Sequence, residues 1–169
     1  MSNGSVKLDN GAVLQNSAVT GTRLGGAVYV AGGGSLMMSN NALITGCSSQ
    51  KDGGGVYLAS GATMGMHDYA KIEHCSAQRN GGAVYVTNAA EMTLGSEVND
   101  RGMAITDNSV SEGDGAGIYL NGALSRLYMM GETQFDANLG RTLSEATNGG
   151  GSYPRARQDI YLDLNTASA

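Results

Sequence analysis

The sequence Gly25-Gly-Ala-Val-Tyr29 returns as Gly53-Gly-Gly-Val-Tyr57 and again as Gly81-Gly-Ala-Val-Tyr85, so these tyrosines are 28 residues apart. A looser copy, Gly115-Ala-Gly-Ile-Tyr119, follows 34 residues later, and Asp159-Ile-Tyr-Leu-Asp163 forms a fifth echo. Self-similarity with a period of about 20 to 50 residues is typical of solenoid proteins. The chain is therefore expected to be built from one repeating unit.

Each repeat contains three short apolar patches that alternate with polar residues, a pattern that predicts strands rather than helices. In the first full repeat the patches are Val28 and Val30, Leu36 and Met38, and Ala42 and Ile44. Glycine, asparagine and serine separate the patches, and these residues favour tight turns. Each strand can pair with its equivalent one coil later, about 4.8 Å away. The pattern thus predicts an all-β fold, a right-handed parallel β-helix of about five coils, each with about 28 residues and three short strands.

The chain is expected to form a single β-helix domain over residues 1–169. Because no capping helix is predicted to cover its first coil, we expect it to be a segment of a longer surface protein. Longer spacings predict one insertion loop near residues 95–102 and a larger one at residues 139–158, which holds the only proline, Pro154. Insertions in solenoids form surface loops, where recognition often takes place.

Composition limits the classes of partner. A formal net charge of −5 without a block of basic residues argues against binding to nucleic acid. No stretch approaches about 18 consecutive apolar residues, so membrane insertion is not expected of this segment. The nine methionines are interpreted as fillers of a narrow core that has one phenylalanine and no tryptophan. Neither a cofactor nor a metal site is predicted, and the segment is expected to be monomeric.

The two cysteines, Cys47 and Cys75, are 28 residues apart and should occupy the same column in adjacent coils. Their backbones would be close enough for a disulfide, but parallel side chains in register rarely offer the required torsion angle. We therefore predict two buried free thiols.

The third strand and its turn read Ile44-Thr-Gly-Cys47, Ile72-Glu-His-Cys75, Ile105-Thr-Asp-Asn108 and Phe135-Asp-Ala-Asn138. Together with the Gly-Gly-x-Val-Tyr element, they resemble the paired FxxN and GGAI repeats of bacterial polymorphic outer-membrane proteins. The resemblance covers residues 6–162, although only the last of the four segments matches FxxN fully. An asparagine or thiol at this corner is expected to hydrogen-bond the turn backbone of neighbouring coils.

The resemblance implies a secreted or surface-displayed β-helix that acts in cell adhesion, often as an autotransporter-like passenger or stalk. The expected partner is a glycan or protein receptor on a host or neighbouring cell. The expected location is the extracellular cell surface, with the signal and the anchor outside this segment. No catalytic residue set is carried over from such proteins, so the leading hypothesis is a non-enzymatic adhesin segment.

Outward-facing tyrosines are the first candidate binding site. They alternate with inward-facing valines and should form an exposed aromatic ladder of Tyr29, Tyr57, Tyr85 and Tyr119. Aromatic faces with hydroxyls at the rim can bind sugar rings. The alternative is that these tyrosines only stabilise the sheet by stacking on one another, as a ligand-free structural stalk would require.

A cluster of acidic residues and one histidine, Glu73, His74, Asp107 and Asp136, should gather on neighbouring coils beside the third strand. Paired carboxylates near a histidine could catalyse polysaccharide cleavage as a lyase or glycoside hydrolase, which is the enzymatic alternative. The other interpretation is that these are solvated turn residues.

A further polar column, Asp52, Asn80 and Asp114, precedes the glycine pairs. Since aspartate and asparagine before glycine are common in turns, this column is expected to bond the local backbone rather than calcium.

Overall fold

The computed structural model describes residues 4–95, 101–141, 155–157 and 159–163. Every regular element in these ranges is a β-strand, and no helix in them is long and apolar enough to span a bilayer. The strands are β1 (Ser5–Leu8), β2 (Val13–Gln15), β3 (Ala18–Val19), β4 (Val28–Val30), β5 (Ser35–Met38), β6 (Leu43–Thr45), β7 (Ser48–Ser49), β8 (Val56–Leu58), β9 (Thr63–Met66), β10 (Lys71–Glu73), β11 (Ser76–Ala77), β12 (Val84–Val86), β13 (Glu91–Leu94), β14 (Met103–Thr106), β15 (Ser109–Val110), β16 (Ile118–Asn121), β17 (Arg126–Met129), β18 (Thr133–Asp136), β19 (Leu139–Arg141), β20 (Arg155–Arg157) and β21 (Ile160–Asp163).

The strands form four sheets in which neighbouring strands are four apart in chain order, except for the β19–β20 and β16–β21 pairs, as expected for a chain that winds over itself. We name them the tyrosine sheet (β4, β8, β12, β16, β21), the methionine sheet (β1, β5, β9, β13, β17), the isoleucine sheet (β2, β6, β10, β14, β18) and the serine sheet (β3, β7, β11, β15, β19, β20). Pairing between coils is parallel, and Tyr29 lies beside Tyr57 in exact strand register. The predicted parallel β-solenoid is thus confirmed, whereas its right-handed sense and its number of coils stay predictions.

The serine sheet adds a fourth strand to each coil, where the apolar pattern indicated three. Its strands are only two residues long in the first four coils, such as Ser48–Ser49 and Ser76–Ala77. Two residues cannot display an alternating pattern, and serine reads as a turn residue. Hydrophobic periodicity therefore cannot reveal this strand.

Like residues stack inside the solenoid in columns, which explains why so few bulky side chains suffice. Ile44, Ile72 and Ile105 form one fully buried column of the isoleucine sheet. In the methionine sheet, Met38 and Met66 are fully buried neighbours, so the interpretation of methionines as core fillers is confirmed there. Burial of one such side chain contributes roughly 1.5 to 3 kcal/mol relative to leaving it exposed.

The second glycine of each repeated pentad is required by close packing between coils. A Cβ atom on Gly54 would overlap the carbonyl oxygens of Gly82 and Ser76 in the next coil. The glycine before it, Gly53, has a φ of +72°, a left-handed conformation that side chains disfavour. The pair therefore turns the chain and lets adjacent coils approach.

Most of the two insertions predicted near residues 95–102 and 139–158 lies outside the described residues. At the edges of the larger one, β19 and β20 pair antiparallel, with Leu139 opposite Arg157 and Arg141 opposite Arg155. Asp159 then returns the chain to the solenoid, where its carbonyl accepts a hydrogen bond of 2.8 Å from the Ile118 N–H.

Candidate functional site

The outward tyrosines form a continuous stack along the tyrosine sheet. Ring centroids of successive coils are 5.0 to 5.4 Å apart, and the interplanar angles are 4° to 11°. The stack contains the four predicted members, Tyr29, Tyr57, Tyr85 and Tyr119, and continues to Tyr161. The predicted ladder is therefore present, with a fifth ring that the residue spacing alone did not place in it.

Exposure of this ladder differs from expectation. Tyr29 is 53% exposed, but Tyr85 and Tyr119 are only 8% and 7% exposed, so the prediction of exposed rings is wrong for these two. Each of these two rings is covered on both faces by its neighbours; Tyr57, which is also covered on both faces, is half-buried. Burial also raises the pKa of the Tyr85 and Tyr119 hydroxyls, and the Tyr119 hydroxyl donates to Asp163 Oδ2 at 2.8 Å.

The consequence for binding is direct. A sugar ring stacks on the face of an aromatic ring, and in this ladder the faces between Tyr29 and Tyr161 already contact one another. The arrangement matches the alternative interpretation, in which the tyrosines stabilise the sheet.

The corner column after the isoleucine sheet changes along the molecule from thiols to amides. Asn108 and Asn138 are fully buried, and each connects its own coil to the preceding one. Asn108 Oδ1 accepts a bond of 2.9 Å from the Cys75 N–H, and its Nδ2 donates to the Ile72 carbonyl at 3.1 Å. Asparagine at this corner thus bonds neighbouring backbone, as expected.

Both cysteines are buried and free, which confirms the prediction. The Cys47 thiol lies 3.3 Å from the Thr45 carbonyl oxygen, and the Cys75 thiol lies 3.4 Å from that of Glu73. Desolvation raises the pKa of Cys75 to about 12, so it stays protonated at neutral pH. A thiol in this state is a poor nucleophile and a poor metal ligand.

The second polar corner, Asp52, Asn80 and Asp114, also bonds one coil to the next. The Asn80 N–H donates to Asp52 Oδ1 at 3.1 Å, and the Asp114 N–H donates to Asn80 Oδ1 at 3.0 Å. Arg79 Nη1 lies 3.7 Å from Asp52 Oδ2. These contacts agree with the expected backbone-bonding role, although the partners lie on neighbouring coils rather than within one turn.

The acidic candidates lie along one edge of the isoleucine sheet. Glu73 Oε1 is 3.9 Å from His74 Nδ1, but Thr106 occupies the register position between Glu73 and Asp136. His74 and Asp107 sit at left-handed turn positions, with φ of 54° and 56°, and both are exposed. The structure therefore pairs Glu73 with His74 and does not make Glu73 and Asp136 direct neighbours.

A groove over the serine sheet is the main feature that the residue pattern did not reveal. It has a volume of about 470 Å³ and crosses four coils, from Ala18 to Ser111. Ser48, Ser76 and Ser109 occupy equivalent positions on adjacent strands along its floor. Within the described residues, the side-chain hydroxyls of these three serines make no hydrogen bond.

Two glutamines form one rim of the groove and connect it to a second cavity. Gln50 and Gln78 line both the groove and a neighbouring cavity of about 260 Å³ that also contacts Lys51, Arg79 and Glu112. Gln50 Oε1 accepts from the Gly21 N–H at 2.7 Å, and Gln78 Nε2 donates to Glu112 Oε1 at 2.8 Å. Each amide thus keeps one polar atom free for a ligand within the described part of the chain.

We found no match for this chain among protein-family models, curated proteins or solved structures. The resemblance to polymorphic outer-membrane proteins therefore stays a prediction. Among the described residues, no three histidine, cysteine, aspartate or glutamate side chains form a group that could hold a metal ion.

Proposed function

We propose that this chain is a non-enzymatic segment of an extracellular bacterial adhesin, which presents a β-helix face to ligands on host or neighbouring cells. The observation that carries the proposal is the open polar groove across four coils of the serine sheet. Inward columns and both polar corners are engaged in coil-to-coil contacts, whereas the groove leaves hydroxyl and amide groups unpaired. A rigid scaffold with such a face suits an extended surface ligand.

The arrangement of the acidic candidates supports binding rather than cleavage. Glycoside hydrolysis uses two carboxyl groups that flank one bond, usually one of them with a raised pKa. Here Thr106 separates Glu73 from Asp136 along the sheet, and Asp107 and Asp136 are exposed to solvent.

Attachment of beads coated with the purified chain to mucin layers and to cultured epithelial cells tests the proposal. Beads coated with the heat-unfolded chain serve as the control. We expect attachment only with the folded chain and no sugar release into the supernatant. Sugar release by the wild type that is lost in Glu73→Gln would instead support the polysaccharide-degrading alternative.

A ligand-free structural stalk is the second candidate, because the tyrosines stack on each other and two of them, Tyr85 and Tyr119, are buried. A stalk predicts that the folded chain attaches no better than the unfolded control on every surface tested. It also predicts the same weak signal for Tyr57→Ala and Tyr85→Ala beads.

A further inference from the structure

The three floor serines of the groove form a regular row of hydroxyls. Ser48, Ser76 and Ser109 are paired in register, so their hydroxyls repeat at the spacing of parallel strands, about 4.8 Å. Their backbone N–H groups are bonded to the preceding coil, through acceptors at Ser17, Cys47 and Cys75. Only the hydroxyls are left to interact with a molecule in the groove.

The chemistry of the groove selects the class of ligand. Because the backbone groups of the serine sheet already bond to neighbouring strands, an extended peptide could not dock there by adding a strand. The free groups are hydroxyls and amides, which both donate and accept hydrogen bonds. This combination matches a ligand that is itself covered with hydroxyl groups.

Charge around the second cavity indicates a neutral ligand. Two positive charges, those of Lys51 and Arg79, line this cavity. They are balanced by two negative charges: Glu112 lines the cavity, and Asp52 lies beside Arg79. Arg79 is held near Asp52, and Glu112 accepts from Gln78, so neither charge is directed alone into the groove. No excess of one sign is present to favour a charged chain.

We infer that this groove binds a neutral oligosaccharide chain lying across the coils, with the hydroxyls of Ser48, Ser76 and Ser109 and the amides of Gln50 and Gln78 contacting successive sugars. This inference rests on the proposed adhesin function and names its ligand class. The groove spans four coils, or about 14 Å, and the three serines occupy three of them. Affinity therefore increases with ligand length until the groove is filled and then becomes constant.

The experiment measures dissociation constants for neutral β-1,4-linked gluco-oligosaccharides and N-acetylglucosamine oligosaccharides of two to six sugars, by NMR titration of the full chain. The test variant is Ser48→Ala/Ser76→Ala/Ser109→Ala, which removes the hydroxyls and keeps the groove open. The control variant, Thr45→Ala/Thr63→Ala/Thr106→Ala, removes three hydroxyls from outward positions on the other sheets. We expect the serine variant to raise Kd about tenfold or more, because it loses three hydrogen bonds, and the control to leave it unchanged.

A second variant, Ser76→Leu, fills the middle of the groove and should abolish binding while the far-ultraviolet circular dichroism spectrum stays unchanged. Binding that is equal in the wild type and the serine variant would overturn the inference. Failure of all neutral oligosaccharides, with bead attachment intact, would overturn the inference alone and direct attention to a protein receptor. Failure of both assays would overturn the adhesin proposal as well.

Discussion

The corner column after the isoleucine sheet has two halves that differ in their side chains: thiols in the N-terminal half and amides in the C-terminal half. In the N-terminal half, Cys47 and Cys75 donate to carbonyls of their own coils, two residues back, and Cys47 has only a long contact of 4.0 Å to the Leu14 carbonyl of the preceding coil. In the C-terminal half, Asn108 and Asn138 donate to carbonyls of the preceding coil, those of Ile72 and Ile105. The thiols make weak contacts with neighbouring coils, whereas the amides form short hydrogen bonds that connect one coil to the next.

The asparagine half is also connected internally. Asn108 Nδ2 donates to Asn138 Oδ1 at 3.0 Å, and Asn138 Nδ2 donates to Asp159 Oδ1 at 2.8 Å, beyond the larger insertion. In the cysteine half the corresponding acceptor is sulfur, since the Cys75 sulfur faces the backbone N–H of Cys47. Sulfur is a weak acceptor, so the difference teaches that the same corner position links adjacent coils weakly with thiols and more strongly with amides.

The largest expected effect is that of breaking the asparagine half with Asn108→Ala. The substitution leaves the buried Cys75 N–H without its acceptor and removes the bond to the Ile72 carbonyl. We expect the free energy of unfolding to fall by about 3 kcal/mol, because an unsatisfied buried group costs about 1 to 3 kcal/mol. Urea denaturation followed by circular dichroism measures it. Gln134→Ala, which removes an exposed amide from β18, is the control; an equal loss in both variants would refute the linking role.

A pH dependence is expected from the cysteine half. The pKa of Cys75 is raised to about 12 by burial, from an ordinary value of 9.0. Between these pH values the unfolded chain loses the thiol proton and the folded chain keeps it. The contribution is therefore complete below pH 9 and decreases as pH rises, by about 1.4 kcal/mol per pH unit at most.

Cys75→Ala separates this effect from the titration of the buried tyrosines. Urea denaturation at pH 8 and pH 10 should show a larger loss of stability in the wild type than in the variant, by about 1 kcal/mol. Parallel losses in the two proteins would show that the thiol is not responsible.

Converting the cysteine half into the asparagine type should sharpen the comparison. Cys75→Asn would place an amide oxygen near the Cys47 N–H and extend the existing asparagine row by one coil. Room exists because Gly55, which has no side chain, lies beside the Cys75 sulfur. We expect a gain of about 1 kcal/mol in the free energy of unfolding, measured in the same urea titration. A loss, equal to that of Cys75→Ala, would mean that the amide does not fit.

The smallest expected effect is on the reactivity of the two thiols, which are protected in the folded chain. Because Cys47 and Cys75 are buried and free, iodoacetamide at pH 8 should label neither in the folded chain and both in urea. Mass spectrometry counts the added groups. Rapid labelling of the folded chain would show that the corner opens readily to solvent.

The spacing of the tyrosines predicted the fold, because a fixed period places equivalent residues in the same column of adjacent coils. The same logic found the thiol pair, the asparagine corner and the four predicted members of the tyrosine ladder. The spacing did not predict the exposed fraction of these rings, because the burial of Tyr85 and Tyr119 depends on rings in the neighbouring coils and not on their own sequence context.

The groove could not be predicted, for a different reason. Ser48, Ser76 and Ser109 have the composition of turns, and only the parallel pairing of two-residue strands makes them a row. The signal that could have found them is positional: each lies one residue after the corner column of Cys47, Cys75 and Asn108.

Amide hydrogen exchange, measured by NMR on the wild type and Asn108→Ala, tests the coil-linking role of asparagine most directly. In the wild type the Cys75 N–H, bonded to Asn108 Oδ1, should exchange more slowly than the Cys47 N–H, which faces sulfur. In Asn108→Ala the protection of Cys75 should be lost while that of the distant Ile44 N–H is kept. Equal exchange of Cys47 and Cys75 in the wild type, or unchanged protection of Cys75 in the variant, would contradict this role.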